Sequence, residues 1–357
     1  MNNERTMLVD AATDLFGDLC PPAVVVAAEE TGWAGALWSA LAEAGFPWVG
    51  VPEQAGGSGG SLADACALLQ VVGRYAAPVP LAETGVLAGW ALASAGLALP
   101  SGPATVGVGR PDDVVELAGG PGSWRLSARV GRVPWGGECE RLVLLADLDR
   151  QRFVVSVPRE GLTVTPGRNL AGEPRDALAC DDTALPDDAV APASDHVTVQ
   201  TLAVRGALTR AALIAGALSR VSDLTVTYTE QRQQFGRPIA RFQAVQQHLV
   251  QLAEQAQSAR MAVLVAAQNA DPEPAVFDVA AAKVVASEAA TSATRAAHQA
   301  HGAIGMTKEY ELGQLTRRLW SWREEFGSDR YWSRELGDRL ADADALWPRI
   351  AVGLVRG

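Results

Sequence analysis

Residues 232–243 read R-Q-Q-F-G-R-P-I-A-R-F-Q, and they interrupt one helix-like run and begin another. Phe235-Gly236 and Pro238 make the break, because glycine frees the backbone and proline removes an N–H donor. Upstream, residues 199–232 carry apolar side chains on recurring faces, and residues 242–270 do so downstream, the mark of amphipathic helices. At 1.5 Å per residue the downstream run predicts a rod of roughly 40 Å. D-P-E-P at 271–274 separates it from a third run, 275–302, since proline is tolerated at a helix start. The Ala density of that third run implies close packing on neighbouring helices. Further helices are expected from about Glu309 through Trp322 and after Ser328. Long antiparallel helices of this kind make a bundle.

The rest of the chain divides by composition. In residues 1–100, Leu37, Leu41 and Phe46 lie at near-helical spacing, as do Leu62, Ala65, Leu68, Leu69 and Val72. Ser61 can cap the second of these helices, with Asp64 as an acidic partner in its first turn. Residues 101–195 change character. A-T-V-G-V-G, D-V-V-E-L, S-W-R-L-S-A-R-V-G-R-V, R-L-V-L-L-A-D-L and R-F-V-V-S-V-P are short runs broken by Gly, Pro and Asp, which predicts an antiparallel sheet or barrel. D-D-T-A-L-P-D-D-A-V-A-P-A-S-D reads as a loop returning to helix. The expected fold is therefore α+β and mostly α. It has an N-terminal helical domain (1–100), a small middle β-sheet or barrel domain (101–195), and a C-terminal helical bundle (196–357) carrying the oligomer interface.

Length and charge narrow the function. The 357 residues predict two or three domains. The net charge of −11 argues against nucleic acid or anionic membrane as partner, because both need clustered basic charge. It leaves room for a small anionic ligand held by a few arginines. Cys20, Cys66, Cys139 and Cys180 lie far apart without a CxxC pair, so neither a zinc site nor a redox dithiol is expected. Reduced thiols, no signal-peptide pattern and no transmembrane run together predict a cytoplasmic protein.

Q-F-G-R-P-I followed by F-Q-A-V-Q, within this helix–sheet–helix plan, resembles the acyl-CoA dehydrogenase family of flavoproteins. Val51-Pro52-Glu53 with Gly56-Gly57 resembles the family's N-terminal Val-Pro-Glu-x-x-Gly-Gly turn. Gln299, Gly302, Ala303 and Gly305 resemble its Gln-x-x-Gly-Gly-x-Gly segment, with Ala at the second glycine. The resemblance spans nearly the whole chain. It implies FAD in a cleft shared between subunits, with the Arg-x-x-Phe-Gly segment reaching a neighbour's dinucleotide. By that resemblance Arg232 binds phosphate oxygens, Phe235 packs on the dinucleotide, Gln243 hydrogen-bonds it, and the 299–305 loop brings backbone close to it. The residue types suit the roles, since a guanidinium fork matches phosphate geometry. The implied partners are an acyl-CoA substrate and another acyl-CoA dehydrogenase subunit, in a homo- or hetero-oligomer.

The sequence departs from that family at two places. The family's carboxylate base takes the proton α to a thioester carbonyl, an aid of about 10²–10⁴-fold. Its two alternative positions fall here on Phe326 and on Gly206, and neither is a glutamate. Glu325 is the nearest candidate base, one residue out of register, and a one-residue slip swings a helical side chain by about 100°. The second departure concerns the chain's own flavin. The family's Thr-Glu-Pro-x-x-Gly-Ser-Asp region reads G-P-A-T-V-G-V-G-R-P-D-D here, and its Trp-x-Thr position reads Arg132-Val133-Pro134. The half-site offered to a neighbour is thus kept while the chain's own is eroded. That predicts a subunit of a hetero-oligomer performing FAD-dependent α,β-dehydrogenation of an acyl-CoA thioester. The alternative is a flavin-free scaffold homologue that stabilises a partner dehydrogenase, since fold alone does not fix function.

Other features carry less. E-Q-A-G-G-S-G-G-S at 53–61 lacks the Gly-Lys-Ser/Thr of a phosphate loop. His298 and His301 share a helix face, but no third metal ligand accompanies them. Trp320, Trp322 and Trp332 fall near the acyl pocket that the resemblance implies, and core packing is the simpler reading.

Overall fold

The computed structural model describes residues 3–270, 275–307 and 310–341. D-P-E-P at 271–274 and the expected helix start at Glu309 lie outside the described residues. The chain opens with α1 (Asn3–Leu19), α2 (Pro22–Thr31), α3 (Gly35–Glu43) and α4 (Leu62–Arg74). Ser61 and Asp64 form the expected cap: the Asp64 carboxylate accepts from the Ser61 N–H at 2.8 Å, and the Asp64 N–H donates to Ser61 Oγ at 3.3 Å. Ala82–Gly89 then winds as a buried π-helical stretch leading into α5 (Trp90–Ser94).

Eight strands follow: β1 (Ala104–Val106), β2 (Val114–Ala118), β3 (Trp124–Pro134), β4 (Arg141–Leu148), β5 (Gln151–Pro158), β6 (Thr163–Thr165), β7 (Arg175–Leu185) and β8 (Val190–Pro192). They form two four-stranded sheets, β1-β4-β5-β8 and β2-β3-β7-β6. All pairings are antiparallel except β1 with β4, which is parallel. Leu126, Val130, Leu142, Leu144, Val155 and Leu178 belong to the buried apolar core that the strands share. The stretch 181–195, expected as loop, instead contains the end of β7 and all of β8. Asp181 and Asp182 of that stretch lie exposed on the ladder, where Asp182 pairs with Arg125 of β3, and the buried charges at the start of β7 are satisfied locally. Asp176 accepts from the Gly137 and Gly167 N–H groups at 2.8 and 3.1 Å, and Arg175 pairs with Glu173 at 3.0 Å.

Helix returns with α6 (Val199–Gln231), whose 33 residues make a rod of about 50 Å. By length and hydropathy α6 could cross a membrane, but 89% of its most apolar stretch is buried in the fold, as in a core helix. A hairpin, β9 (Gln233–Gln234) and β10 (Arg237–Pro238), precedes α7 (Gln243–Gln268), α8 (Val276–His301), α9 (Glu311–Trp322) and α10 (Asp329–Ala341). The expected mostly helical fold with a middle sheet region and C-terminal helices is the one observed.

By contacts the chain forms two compact units. One comprises Met1–Pro22, Cys66–Ala77 and Ala207–Gly357; the other comprises Ala23–Ala65 and Pro78–Gly206. In the first, α4 and α6 cross with almost no separation. A Cβ added at Gly216 would sit 1.8 Å from the Gln70 carbonyl oxygen, and one at Gly73 would sit 2.0 Å from that of Leu213. Ala282, Ala286, Ala289, Ala293 and Ala297 are fully or almost fully buried along α8, which explains its alanine density. In the second unit, Arg205 is buried, donates to the Val86 carbonyl at 3.0 Å and lies 4.4 Å over the Trp90 ring.

Candidate functional site

The hairpin after α6 is built to present side chains outward. Phe235 (φ 53°) and Gly236 (φ 76°) form its two-residue turn, the geometry of a type I′ hairpin. Glycine adopts that backbone freely; a phenylalanine there costs about 1 kcal/mol. Phe235 nevertheless stands 92% exposed, so neither burial nor backbone preference explains it. The Ile239 N–H donates to the Arg232 carbonyl at 2.8 Å and closes the loop. Arg237 lies 4.2 Å over the Phe242 ring, and Phe235 meets that ring edge-on at 6.1 Å. Arg232 and Gln243 are exposed at the two feet of the hairpin. Arg232 has no ion-pair partner among the described residues.

The second predicted segment lies at the same end of this unit. Tyr228, one turn before Arg232, stacks on His301 at 4.5 Å and donates to the His301 carbonyl at 3.3 Å. His301 Nδ1 donates to the Ala297 carbonyl at 2.8 Å, which leaves Nε2 to accept from the Tyr310 hydroxyl at 3.2 Å. Burial lowers the His301 pKa and so favours this neutral ring. Gly302 follows with φ 65°, and an added Cβ there meets nothing within 4 Å, so its backbone faces open space. Gly305 is the opposite case: a Cβ would press on His301, Leu312 and His298 at 3.0, 3.1 and 3.3 Å. Gln299, Gly302 and Ala303 line a cavity of about 600 Å³ with Thr294, His298 and Trp320. Arg232, Phe235 and Gln243 do not line it. The structure therefore brings the two predicted segments to one end without merging them into one pocket. The Tyr228–His301–Tyr310 clamp that relates them was missed by sequence reasoning; its only signal was an aromatic one helical turn before Arg232.

The candidate base has a different setting. Glu325 accepts from Arg210 Nε at 2.7 Å, and the Arg210 side chain is 1% exposed. The same guanidinium lies 4.8 Å from the Phe326 ring. Lys283, fully buried, donates to the Trp322 and Arg323 carbonyls at 3.1 and 2.7 Å. Burial pushes its ammonium down to about 7, against the nearby Glu325 carboxylate, which raises it. Trp332 Nε1 donates to the Phe326 carbonyl at 2.9 Å. The turn after α9 is thus held from within by two cations and an indole. Trp322 and Trp332 are core residues, whereas Trp320 is 41% exposed. Gly206, the alternative position, lies buried within α6.

Of the strand positions where the family's own-flavin motifs fall, Thr105, Val133 and Pro134 are buried, whereas Arg132 is exposed. Thr105 is fully buried and its hydroxyl donates to the Pro134 carbonyl at 2.7 Å. The two positions are therefore spent on each other. Among the described residues, no group of three or more His, Cys, Asp or Glu could hold a metal ion.

For a dinucleotide, the residues at the exposed end fit. A guanidinium without an ion pair and an open glycine backbone suit an anionic ligand with several phosphate oxygens. Family profiles agree with the sequence resemblance: "Acyl-CoA dehydrogenase, N-terminal domain" matches residues 2–98, and "Acyl-CoA dehydrogenase, C-terminal domain" matches residues 197–340. The chain is 31% identical to the acyl-CoA dehydrogenase IpdE2 of Mycolicibacterium smegmatis, over 94% of this chain and 98% of that one. It is 26% identical to the acyl-CoA dehydrogenase FadE27 of Mycobacterium tuberculosis, over 87% and 89%. Among solved structures, the ChsE4–ChsE5 complex from Mycobacterium tuberculosis superposes with a TM-score of 0.87 at 24% identity, covering 97% of this chain and 99% of that one.

Proposed function

The chain belongs to the acyl-CoA dehydrogenase family, oxidoreductases that act on CH–CH bonds, and on that premise we propose that it is the half-site subunit of a two-chain, FAD-dependent dehydrogenase of acyl-CoA thioesters. The observation that carries this reading is the contrast between an outward hairpin and an inward turn. Phe235 is 92% exposed in a left-handed backbone, while Glu325 is held by a guanidinium that is 1% exposed. A solved neighbour that is itself a complex of two named chains supports the two-chain arrangement.

Each residue then has a defined task. Arg232 would grip phosphate oxygens of a dinucleotide carried mainly by the partner, and Gln243 would hydrogen-bond it. Phe235 would cover it from the side, and the open backbone at Gly302 and Ala303 would let it approach. When bound, FAD supplies the hydride acceptor for the α,β-dehydrogenation. The carboxylate that takes the α proton would come from the partner, because Glu325 already serves as counter-ion to Arg210. A general base must reach the proton it abstracts, at about 2.6–3.2 Å or through one water, and Glu325 would have to leave Arg210 to do so.

The test is expression of this chain alone and with its partner. The proposal expects no flavin and no turnover from the chain alone, and both from the pair. It expects Glu325→Gln to leave turnover of the pair unchanged. Loss of turnover in that variant, with the assembly intact and flavin retained, would show that this chain carries the base.

A further inference from the structure

We infer that Tyr228 is a positioning residue: it holds the hairpin after α6 and the glycine turn after α8 at one fixed separation, so that both can grip a single bound dinucleotide. The inference rests on the proposed function in taking Arg232 and Gly302 as two grips on that ligand; the linkage itself is made by this chain. Tyr228 bonds in both directions. Its carbonyl accepts from the Arg232 N–H at 2.8 Å, and its hydroxyl donates to the His301 carbonyl at 3.3 Å. That carbonyl belongs to the peptide group joining His301 to Gly302, and the Gly302 N–H donates to the His298 carbonyl where α8 ends. A single side chain therefore links the backbone of Arg232 to the backbone of Gly302.

The linkage is stiffened from both sides. The Tyr228 and His301 rings stack with 19° between their planes, and Tyr310 meets Tyr228 edge-on at 6.2 Å. Aromatic pairs in these arrangements attract beyond the area they bury. His301 is buried and its two ring nitrogens are bonded to Ala297 and Tyr310, so its ring orientation is fixed. Tyr310 immediately precedes α9, and the first residue of that helix, Glu311, forms a two-pronged ion pair with Arg220 of α6, 2.8 Å on each arm. Such a fork fixes geometry as well as charge. Arg220 and Tyr228 lie roughly 12 Å apart along the α6 axis. The end of α8 and the start of α9 are thus tied to one rod, and that rod runs on into Arg232.

What the linkage positions faces outward. Arg232 is exposed, and a Cβ on Gly302 would meet nothing within 4 Å. A clamp serving the core alone ends on buried groups, as Arg205 does on the Val86 carbonyl. Holding two grips in place before a ligand arrives removes part of the ordering cost of binding. The two grips then act on one ligand as a unit, and Tyr228 is the residue through which each depends on the other.

The experiment is a double-mutant cycle on the two-chain assembly, stripped of flavin and titrated with FAD, using Tyr228→Phe, Arg232→Ala and the double variant. Tyr228→Phe keeps the stacked ring and removes only the hydroxyl. It should weaken FAD about tenfold, which corresponds to about 1.4 kcal/mol. The double variant should bind no more weakly than Arg232→Ala, because a lost grip leaves nothing to position, and such non-additivity marks residues that act together. In the chain alone, without flavin, Tyr228→Phe should speed amide hydrogen exchange at Gly302 and at Ile239 together; unchanged exchange at either overturns the inference. If Arg232→Ala loses FAD while Tyr228→Phe binds it like wild type, or if the two losses multiply, the half-site stands and the inference falls. If Arg232→Ala keeps its FAD, the half-site reading falls and the inference falls with it. Should Tyr228→Phe fail to fold, Tyr310→Phe, which removes the other hydroxyl of the clamp, takes its place in the same cycle with the same outcomes.

Discussion

Two turns of the same unit are built in opposite senses. The turn after α9 is gripped from beneath: Lys283 takes two of its carbonyls, Arg210 takes Glu325, and Trp332 takes the Phe326 carbonyl. The contacts of the hairpin after α6 among the described residues are mostly its own, Arg237 over Phe242 and the Ile239–Arg232 hydrogen bond. Both place a phenylalanine at positive φ, 53° in each case. Phe326 meets a buried guanidinium of its own chain, whereas Phe235 is left 92% exposed. Backbone strain alone thus says little about function. What the strained side chain touches separates a structural turn from one that awaits a ligand.

The comparison breaks first at Arg210. Replacing it with Met leaves Glu325 without its main partner, and breaking a buried ion pair costs about 3–5 kcal/mol. Because Glu325 is 18% exposed, the lower end of that range is expected in urea unfolding. Arg232→Ala, on the exposed hairpin, should change stability by less than about 0.5 kcal/mol. Equal effects at the two sites would erase the contrast.

Lys283 sharpens the comparison through pH. Its ordinary value is 10.5, and in the folded chain it lies near 7. Between those values the folded chain has lost a proton that the unfolded chain keeps, so stability rises as pH rises from 7 to 10. Lys283→Met should remove that gain, about 2–4 kcal/mol across the window. Melting curves of both proteins at pH 7 and pH 10 measure it. Parallel behaviour of variant and wild type would mean that Lys283 titrates normally.

The smallest effect concerns Phe235. Phe235→Gly relieves the left-handed backbone and should stabilise the chain by up to about 1 kcal/mol. It should at the same time lower flavin retention in the assembly. A variant that is more stable and keeps all its flavin would remove the functional reason for an exposed phenylalanine there.

Much of this architecture was legible because local pattern decides it. The helical periods of 199–232 and 242–270, the break between them, and the cap at Ser61 all rest on neighbours in sequence. β7 was not legible as a strand: its Arg175 and Asp176 look unsuited to burial until Glu173, Gly137 and Gly167 supply their partners. The hairpin and the 299–305 loop were legible as separate motifs, while their anchoring through Tyr228 and His301 depends on residues 73 apart. The tie between Arg210 and Glu325 spans 115 residues. No spacing rule could have shown that Glu325 carries a partner.

The ratio of flavin to chain, measured for this chain purified alone and for its native assembly, tests the central claim most directly. The account predicts a colourless chain by itself and a yellow assembly holding fewer flavins than chains. A yellow chain that alone holds one flavin per protomer and oxidises an acyl-CoA thioester would contradict it.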